Sequence, residues 1–405
     1  MRILFIHKNF PAQFGGWARW LTDQGHDITF LTEREDATSS FMRVLRYTPH
    51  RAPTPNMHHY LVGTEAAVIA SQAVIRVALD LKRTGYAPDI VIAHSGWGGG
   101  TFVKDVWPDC GYVPYFEWYY HWPPVDATPH DPQTQDTLDK AMRTHGRNIP
   151  FLMDFAAADG VMCPTTFQAA QFPDWMRSGI TVSPDGIDTK LHCPGPRSTQ
   201  LLDNLGIPHD APVITWITRG MEPARGFPEM MAAMKTLMRD RHDLHAIIIG
   251  DDRVAYGAKS DGSSWKDRLL QDFGPDQTRL HFTGLVSRNR MIEVLRTGHV
   301  HLYLTAPFVL SWSFLDAMSC GSLIVASDCA PVREFMTDGD NGLLVDMYDP
   351  DALVRKMAHA LDTQTGLVPL RVAARQTIVD RLDDRTVSYP KRLEWLTELA
   401  ARTRT

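Results

Sequence analysis

Short apolar runs alternate with helix-like stretches along most of this chain. Arg2–His7 is apolar and is followed by Pro11 and the pair Gly15-Gly16. Trp17–Gln24 then has helical spacing and stops at Gly25, and His26–Leu31 is apolar again. Strand, glycine-bearing loop, helix, strand is the rhythm of a parallel α/β sheet, whose buried strands read as unbroken apolar runs. The same reading predicts strands at Ile90–Ala93, Val113–Phe116, Gly160–Cys163 and Thr181–Ser183, and a long helix at Glu65–Lys82. Residues 188–212 hold Pro194, Pro196, Pro208 and Pro212 and read as a linker with one short helix, Ser198–Leu205.

The rhythm then restarts. Strands are predicted at Val213–Thr218, His245–Ile249, Leu280–Phe282, Val300–Leu304 and Leu323–Ala326. Helices are predicted near Phe227–Arg239, Trp265–Asp272, Arg288–Leu295 and Phe314–Ser319, and the last helices around Pro350–Leu361 and Ser388–Arg402. The pattern is two α/β halves without an obvious internal repeat. Parallel sheets of this kind bind ligands outside the carboxyl ends of their strands.

Composition narrows the function. The chain has 405 residues, long enough for two or three domains, with 44% hydrophobic and 22% charged residues. Its net charge of −6 argues against nucleic-acid binding as the main role. No window approaches the uninterrupted apolar length of a membrane span, and MRILFIHKNF reads as a first strand and not a signal peptide. Five scattered cysteines without a CxxC suit reduced thiols in the cytoplasm.

Four places carry candidate chemistry. Arg219 ends a predicted strand and Arg225 follows across a turn, just before a helix near Phe227. Two guanidiniums supply forked donors for a diphosphate, and the helix end is expected to add oriented N–H groups. In LTAPFVLSWSFLDAMSCG (304–321), Asp316 is expected in the first turn of a helix, where it can hold a ribose diol. In the first half, AHSGWGGG (93–100) follows a strand, and PYFEWYYHW (114–122) sets Glu117 and His121 among aromatic rings that suit sugars. Gly15 and Gly16 allow close approach of backbone to a ligand. No HExxH, P-loop, GxSxG or clustered CxxC motif is present, and no metal ligand set is expected.

Together these stretches resemble the retaining GT-B glycosyltransferases of family 4. The resemblance runs through ITRGMEPARGFPEMM, IIIGDD, LHFTGLVSRNRMIEVL, the 304–321 stretch and PVREFMTDGDNGLLVD. In the first half, MRILFIHKNFPAQF, HSGWGGGTFVKDVWPD, YFEWYY and PTTFQAAQFP are similar to a bacterial subgroup, and VSPDGIDT resembles the passage toward the second domain. It implies two Rossmann-like domains facing a cleft: residues 1–190 for the acceptor, 191–385 for the nucleotide sugar, and 386–405 as a helix returning to the first domain.

It further implies metal-independent hexosyl transfer, without a cofactor, from a UDP- or GDP-linked donor to a glycan, lipid-linked or small-molecule acceptor. The setting implied is bacterial polysaccharide synthesis in the cytoplasm, with peripheral inner-membrane contact compatible with it. Arg219 stands at the family's arginine, and Arg225 at its usual lysine. Asp316 stands at the second acid of the family's paired-acid motif, and Phe308 occupies the place of the first. Backbone amides of Val309, Leu310 and Ser311 are then expected near the phosphate or sugar. The base is expected near Gly284–Val286 and Gly250, and Glu117 with Tyr120 or His121 near the reacting bond. A non-catalytic nucleotide-sugar-binding protein, or an epimerase or phosphorylase of the same architecture, is the alternative.

Overall fold

The computed structural model describes residues 1–131, 137–256 and 262–403. It divides into two compact units, one of Met1–Pro124, Thr134–Gly186 and Asp384–Thr405, the other of Val125–Gln133 and Ile187–Asp383. The chain therefore passes to the second unit at 186/187 and returns at 383/384. The stretch from Val125 also belongs to the second unit, a feature with no counterpart in the sequence reading.

The first unit is a seven-stranded sheet, order β3-β2-β1-β4-β5-β6-β7. Its strands are β1 (Arg2–Ile6), β2 (Asp27–Thr32), β3 (Arg43–Arg46), β4 (Ile90–His94), β5 (Gly111–Tyr115), β6 (Val161–Cys163) and β7 (Ile180–Val182). All pairs are parallel. Residues 2–6 are apolar after Arg2, and β1 sits centrally with Ile3, Leu4, Phe5 and Ile6 fully buried.

The last helix, Tyr389–Thr403, packs Tyr389, Leu396, Leu399 and Ala400 into the same core as Phe5, Phe14, Trp17 and Tyr115. Gly16 is explained by this packing, since a Cβ there would lie 2.6 Å from the Tyr389 hydroxyl. A Cβ at Gly15 would meet Pro11 at 2.7 Å. The glycine pair thus has a steric reason independent of any ligand.

The helix Val62–Arg83 meets the length and hydropathy of a membrane span. It also buries Ile69, Ala70, Val74, Ala78 and Leu81 in this unit. The glycine-rich loop after β4 is held against it. A Cβ on Gly98, at φ +85°, would lie 2.0 Å from the Ala67 carbonyl oxygen, so only glycine fits there.

The second unit is a six-stranded parallel sheet, order β10-β9-β8-β11-β12-β13. Its strands are β8 (Val213–Gly220), β9 (His245–Asp251), β10 (Leu280–Gly284), β11 (Val300–Tyr303), β12 (Ile324–Ser327) and β13 (Leu343–Val345). Apolar side chains cover both faces, one core holding Val213, Ile247, Phe314 and Met318, the other Trp216, Ile248, Leu302 and Met234. In each unit two central neighbours, β1 beside β4 and β8 beside β11, carry chain leading to opposite sides of the sheet. That is where such folds leave a crevice.

Two long helices lacked a clear sequence signal. Thr137–Ala157 has a polar first half and carries Pro150 inside it, and Val368–Leu382 buries only Ala374, Ile378 and Leu382.

Candidate functional site

In the second unit the expected arginine pair sits at the end of β8, with the two side chains in different states. Arg219 is exposed and makes no hydrogen bond or ion pair with any described residue. Arg225 is 7% exposed. Its Nη1 donates to Thr305 Oγ1 (2.8 Å) and its Nη2 to the Val309 carbonyl oxygen (3.0 Å). Thr305 follows β11, so this guanidinium ties together the loops after the two strands of the switch point. Remaining N–H donors of the fork are left for a ligand. The guanidinium carbon also lies 5.2 Å from the Tyr256 ring centroid and 5.8 Å from that of Phe308. These two rings are 5.1 Å apart.

The helix Phe227–Asp240 does begin beside Arg225, but its N–H groups are not the open array expected. The Arg225 and Phe227 amides donate to the Glu222 carbonyl, the Gly226 amide donates to that of Pro223, and Pro228 has no N–H. The turn that spends these donors depends on Gly226, which has φ +67° and lies 2.4 Å, at its would-be Cβ, from Leu304. The positive potential at this turn therefore comes from the guanidiniums and the helix dipole, not from open N–H groups.

Glu222, between the two arginines, was missed from sequence. It is fully buried, and its Oε2 accepts from the amides of Ala255 and Tyr256 (2.7 Å for the latter). Burial raises its pKa, opposed by those two amides and by the charges of Arg225 and Arg219. It therefore clamps the loop that carries the Tyr256 ring. The signal was a lone acid in an apolar strand-end turn, which is costly to bury unless it is hydrogen-bonded.

Two expectations for the 304–321 stretch need correction. Asp316 is not in a first turn: the helix runs Trp312–Ser319, and Asp316 is its fifth residue, 6% exposed. Its carboxyl faces His192, with Oδ1 3.5 Å from Nε2. Burial pushes its pKa up to about 7, against the nearby charge of Arg288, while burial lowers that of His192. The Ser311 amide is not open to a phosphate either, because it donates to the Tyr303 hydroxyl (3.0 Å). The amides of Val309 and Leu310 donate to no described residue. Gly250 lies against Thr218, Gly284 has open space around it, and Val286 packs on the core.

In the first unit, Glu117 lies in a cluster at the carboxyl ends of β1, β4 and β5. Its Oε2 is 3.2 Å from His94 Nε2, and its Oε1 accepts from Gln13 Nε2 (3.4 Å). His94 Nδ1 donates to the Ser95 carbonyl (2.9 Å), which leaves Nε2 facing the carboxylate. His7, just after β1, packs edge-on at 4.8 Å from the His94 ring and accepts the Asn9 amide at its own Nδ1. Burial, then the neighbouring His94, lowers its pKa to about 2, so His7 is neutral. Trp97, 42% exposed, stacks on His94 at 4.3 Å.

His121 takes no part in this cluster. It bonds the Gln171 carbonyl (2.8 Å) and, with Tyr119 and Tyr120, lines a separate cavity of about 430 Å³. In the stretch AHSGWGGG, which contains His94, the glycines are the conspicuous feature of the sequence. The position that mattered was the titratable residue just before them, at the strand's carboxyl end.

Two parallel Rossmann-like sheets, each with charged and titratable groups at a switch point, define a GT-B glycosyltransferase. The comparisons give the family. Residues 24–192 match the model described as glycosyl transferase family 4 group, and residues 211–363 match glycosyl transferases group 1. The chain belongs to the GT-B glycosyltransferases of these two groups.

It is 27% identical over 183 residues to phosphatidyl-myo-inositol mannosyltransferase of Mycolicibacterium smegmatis, covering 44% of this chain and 42% of that one. It is 26% identical over 215 residues to D-inositol 3-phosphate glycosyltransferase of Acidothermus cellulolyticus, covering 51% and 46%. These matches thus span under half of the curated relatives' length. Among solved structures, sucrose-phosphate synthase from Thermosynechococcus elongatus superposes over 99% of this chain and 100% of its own, with TM-score 0.75 and 15% identity. Anabaena HepE in complex with UDP and glucose does so over 98% and 100%, with TM-score 0.69 and 16% identity.

Proposed function

We propose that this protein transfers a hexosyl group, with retention of anomeric configuration, from a UDP- or GDP-linked donor to a hydroxyl on a glycan, lipid-linked or small-molecule acceptor. The observation that carries this reading is Arg225. A buried guanidinium, pinned by Thr305 and Val309 beside Arg219, which has no partner among the described residues, is a fixed forked donor for a diphosphate. Such preorganised charge stabilises a leaving group without reorganisation in the reaction. The solved relatives that carry UDP, or UDP with glucose, support a nucleotide-sugar donor.

In this mechanism the bond between the sugar's C1 and the diphosphate oxygen breaks while the acceptor oxygen bonds C1 on the same face. The acceptor's proton passes to the departing phosphate oxygen. No protein nucleophile is required, in keeping with Phe308 where an acid usually stands. Arg219 and Arg225 neutralise the leaving diphosphate, and Asp316 is assigned the donor ribose. Glu117 and His94 are assigned the acceptor side. A cytoplasmic setting in bacterial surface-glycan synthesis, with peripheral membrane contact for a lipid-linked acceptor, belongs to the same proposal.

The test is a thermal-shift screen against UDP-, GDP-, TDP- and ADP-sugars, followed by transfer assays with NMR assignment of the product anomer. Stabilisation by one nucleotide, tracking its occupancy, and a retained anomer are expected. An inverted product, or no response to any nucleotide sugar, would overturn the reading.

A further inference from the structure

We propose that Phe308 and Tyr256 form an apolar wall beside the donor sugar, and that the wall selects a deoxy sugar, one lacking a hydroxyl on the ring carbon that faces Phe308. This rests on the diphosphate assignment of Arg225. The sugar is bonded through one oxygen to the phosphate nearest it. A guanidinium that holds that phosphate must therefore have the sugar within a few ångströms.

Among the described residues, two aromatic rings flank the Arg225 guanidinium at that range, those of Tyr256 and Phe308, at 5.2 and 5.8 Å. They lie 5.1 Å apart with planes inclined at 59°, so they meet as two walls of a corner. The chain around Phe308, residues 304–315, contains no acidic residue to meet a hydroxyl. The acid close to Arg225 in sequence, Glu222, is turned inward, with its Oε2 on the Ala255 and Tyr256 amides.

The corner is fixed from both sides. Glu222 holds the backbone at Tyr256, and Arg225 holds the carbonyl of Val309, the residue after Phe308. A hydroxyl pressed against such a corner exchanges water for carbon and goes unpaired, whereas a methylene or methyl fits. At the two ring faces the corner therefore discriminates by what it cannot bond, while the Val309 and Leu310 amides are left for hydroxyls elsewhere on the sugar.

The experiment measures kcat/KM for gluco-, galacto- and manno-configured donors on the nucleotide found by thermal shift. The 2-, 3-, 4- and 6-deoxy analogues of the best of these are compared with it. Wild type, Phe308→Leu and Phe308→Gln are assayed in parallel, with Kd for the free nucleoside diphosphate. In wild type, removing one particular hydroxyl is expected to raise kcat/KM roughly 10-fold or more, while removing others lowers it.

Phe308→Leu, still apolar, keeps that preference. Phe308→Gln, which can pair a hydroxyl, abolishes it at that position and leaves the ranking elsewhere. The diphosphate Kd stays within about fivefold, the scale of one lost ring–cation contact. Loss of activity on removal of every hydroxyl, or an unchanged ranking in Phe308→Gln, overturns the wall. Failure of the wild type to bind any nucleoside diphosphate overturns the diphosphate assignment, and the wall with it.

Discussion

His94 Nε2 lies 3.2 Å from Glu117 Oε2, and the other histidine nitrogen already donates to the Ser95 carbonyl. The contact has the distance of an ion pair, and His94 Nε2 is buried with no hydrogen-bond partner among the described residues, so the carboxylate is the acceptor that faces it. His94 ends β4 and Glu117 follows the neighbouring strand β5, with His94 opposite Tyr115 in the ladder and Glu117 two residues beyond it.

This pair gives the first prediction. His94→Ala removes the facing nitrogen, and Glu117→Gln removes the carboxylate but keeps the shape. Both should lower kcat for transfer by about 100-fold, with His94→Ala the more severe. Kd for the nucleoside diphosphate should stay unchanged, because its binding groups belong to the other unit. Parallel changes in Kd and kcat would place the pair in donor binding instead.

The arginine pair separates two kinds of contact. Arg219 has no described partner, so Arg219→Ala should fold normally and weaken nucleoside diphosphate binding by about 10- to 100-fold, the worth of a charge-assisted contact. Arg225→Lys keeps the charge but cannot reach Thr305 and Val309 with a planar fork. It should lose binding and also stability, seen as a lower Tm in the ligand-free protein. An unchanged Tm would mean the two hydrogen bonds do not hold the loops.

The buried carboxyl of Asp316 should make stability pH-dependent. Its pKa is raised in the folded state to about 7, from an ordinary value near 3.8. The folded protein therefore binds this proton where the unfolded chain has lost it. Stability from this group falls as pH rises from about 4 to 7 and is level above that. The magnitude is a few kcal/mol at most, since the nearby charge of Arg288 offsets part of the burial cost. Urea titrations of Asp316→Asn at pH 5 and pH 8 should show the variant gaining on wild type at the higher pH. Equal differences at both would mean the carboxyl is ionised throughout.

The last helix is tied to the first unit by Arg392, which is 1% exposed. Its guanidinium bonds Asp185 (3.0 Å) and the Ser183 carbonyl (2.7 Å), and lies 4.9 Å from the Trp17 ring centroid. Asp185 also accepts from the Tyr115 hydroxyl (2.8 Å). Arg392→Met leaves this carboxylate without its cation and should destabilise the protein by about 3–5 kcal/mol. Arg392→Met with Asp185→Asn should recover part of the loss. Absence of recovery in denaturant titrations would show that packing, and not charge, dominates.

The interior strands were readable because a parallel strand covered on both faces must be apolar throughout, as in RILFI and VITWI. Arg43–Arg46 and Leu343–Val345 are short edge strands and left too little pattern to read. Residue type at a strand's carboxyl end was enough to single out Arg219, Arg225 and Glu117, since few side chains can stand there uncompensated.

Tertiary structure decided the rest, because hydrogen-bond partners depend on which loops the sheet order brings together. Strand order set β4 beside β5 and so His94 beside Glu117, and left His121 on the far side of its loop. The tie from Arg225 to Thr305 and Val309 spans 80 residues or more of chain. The resemblance to family 4, carried by the sequence, implied that an acid was missing at Phe308. Only the fold turned that aromatic ring, with Tyr256, toward the guanidinium of Arg225.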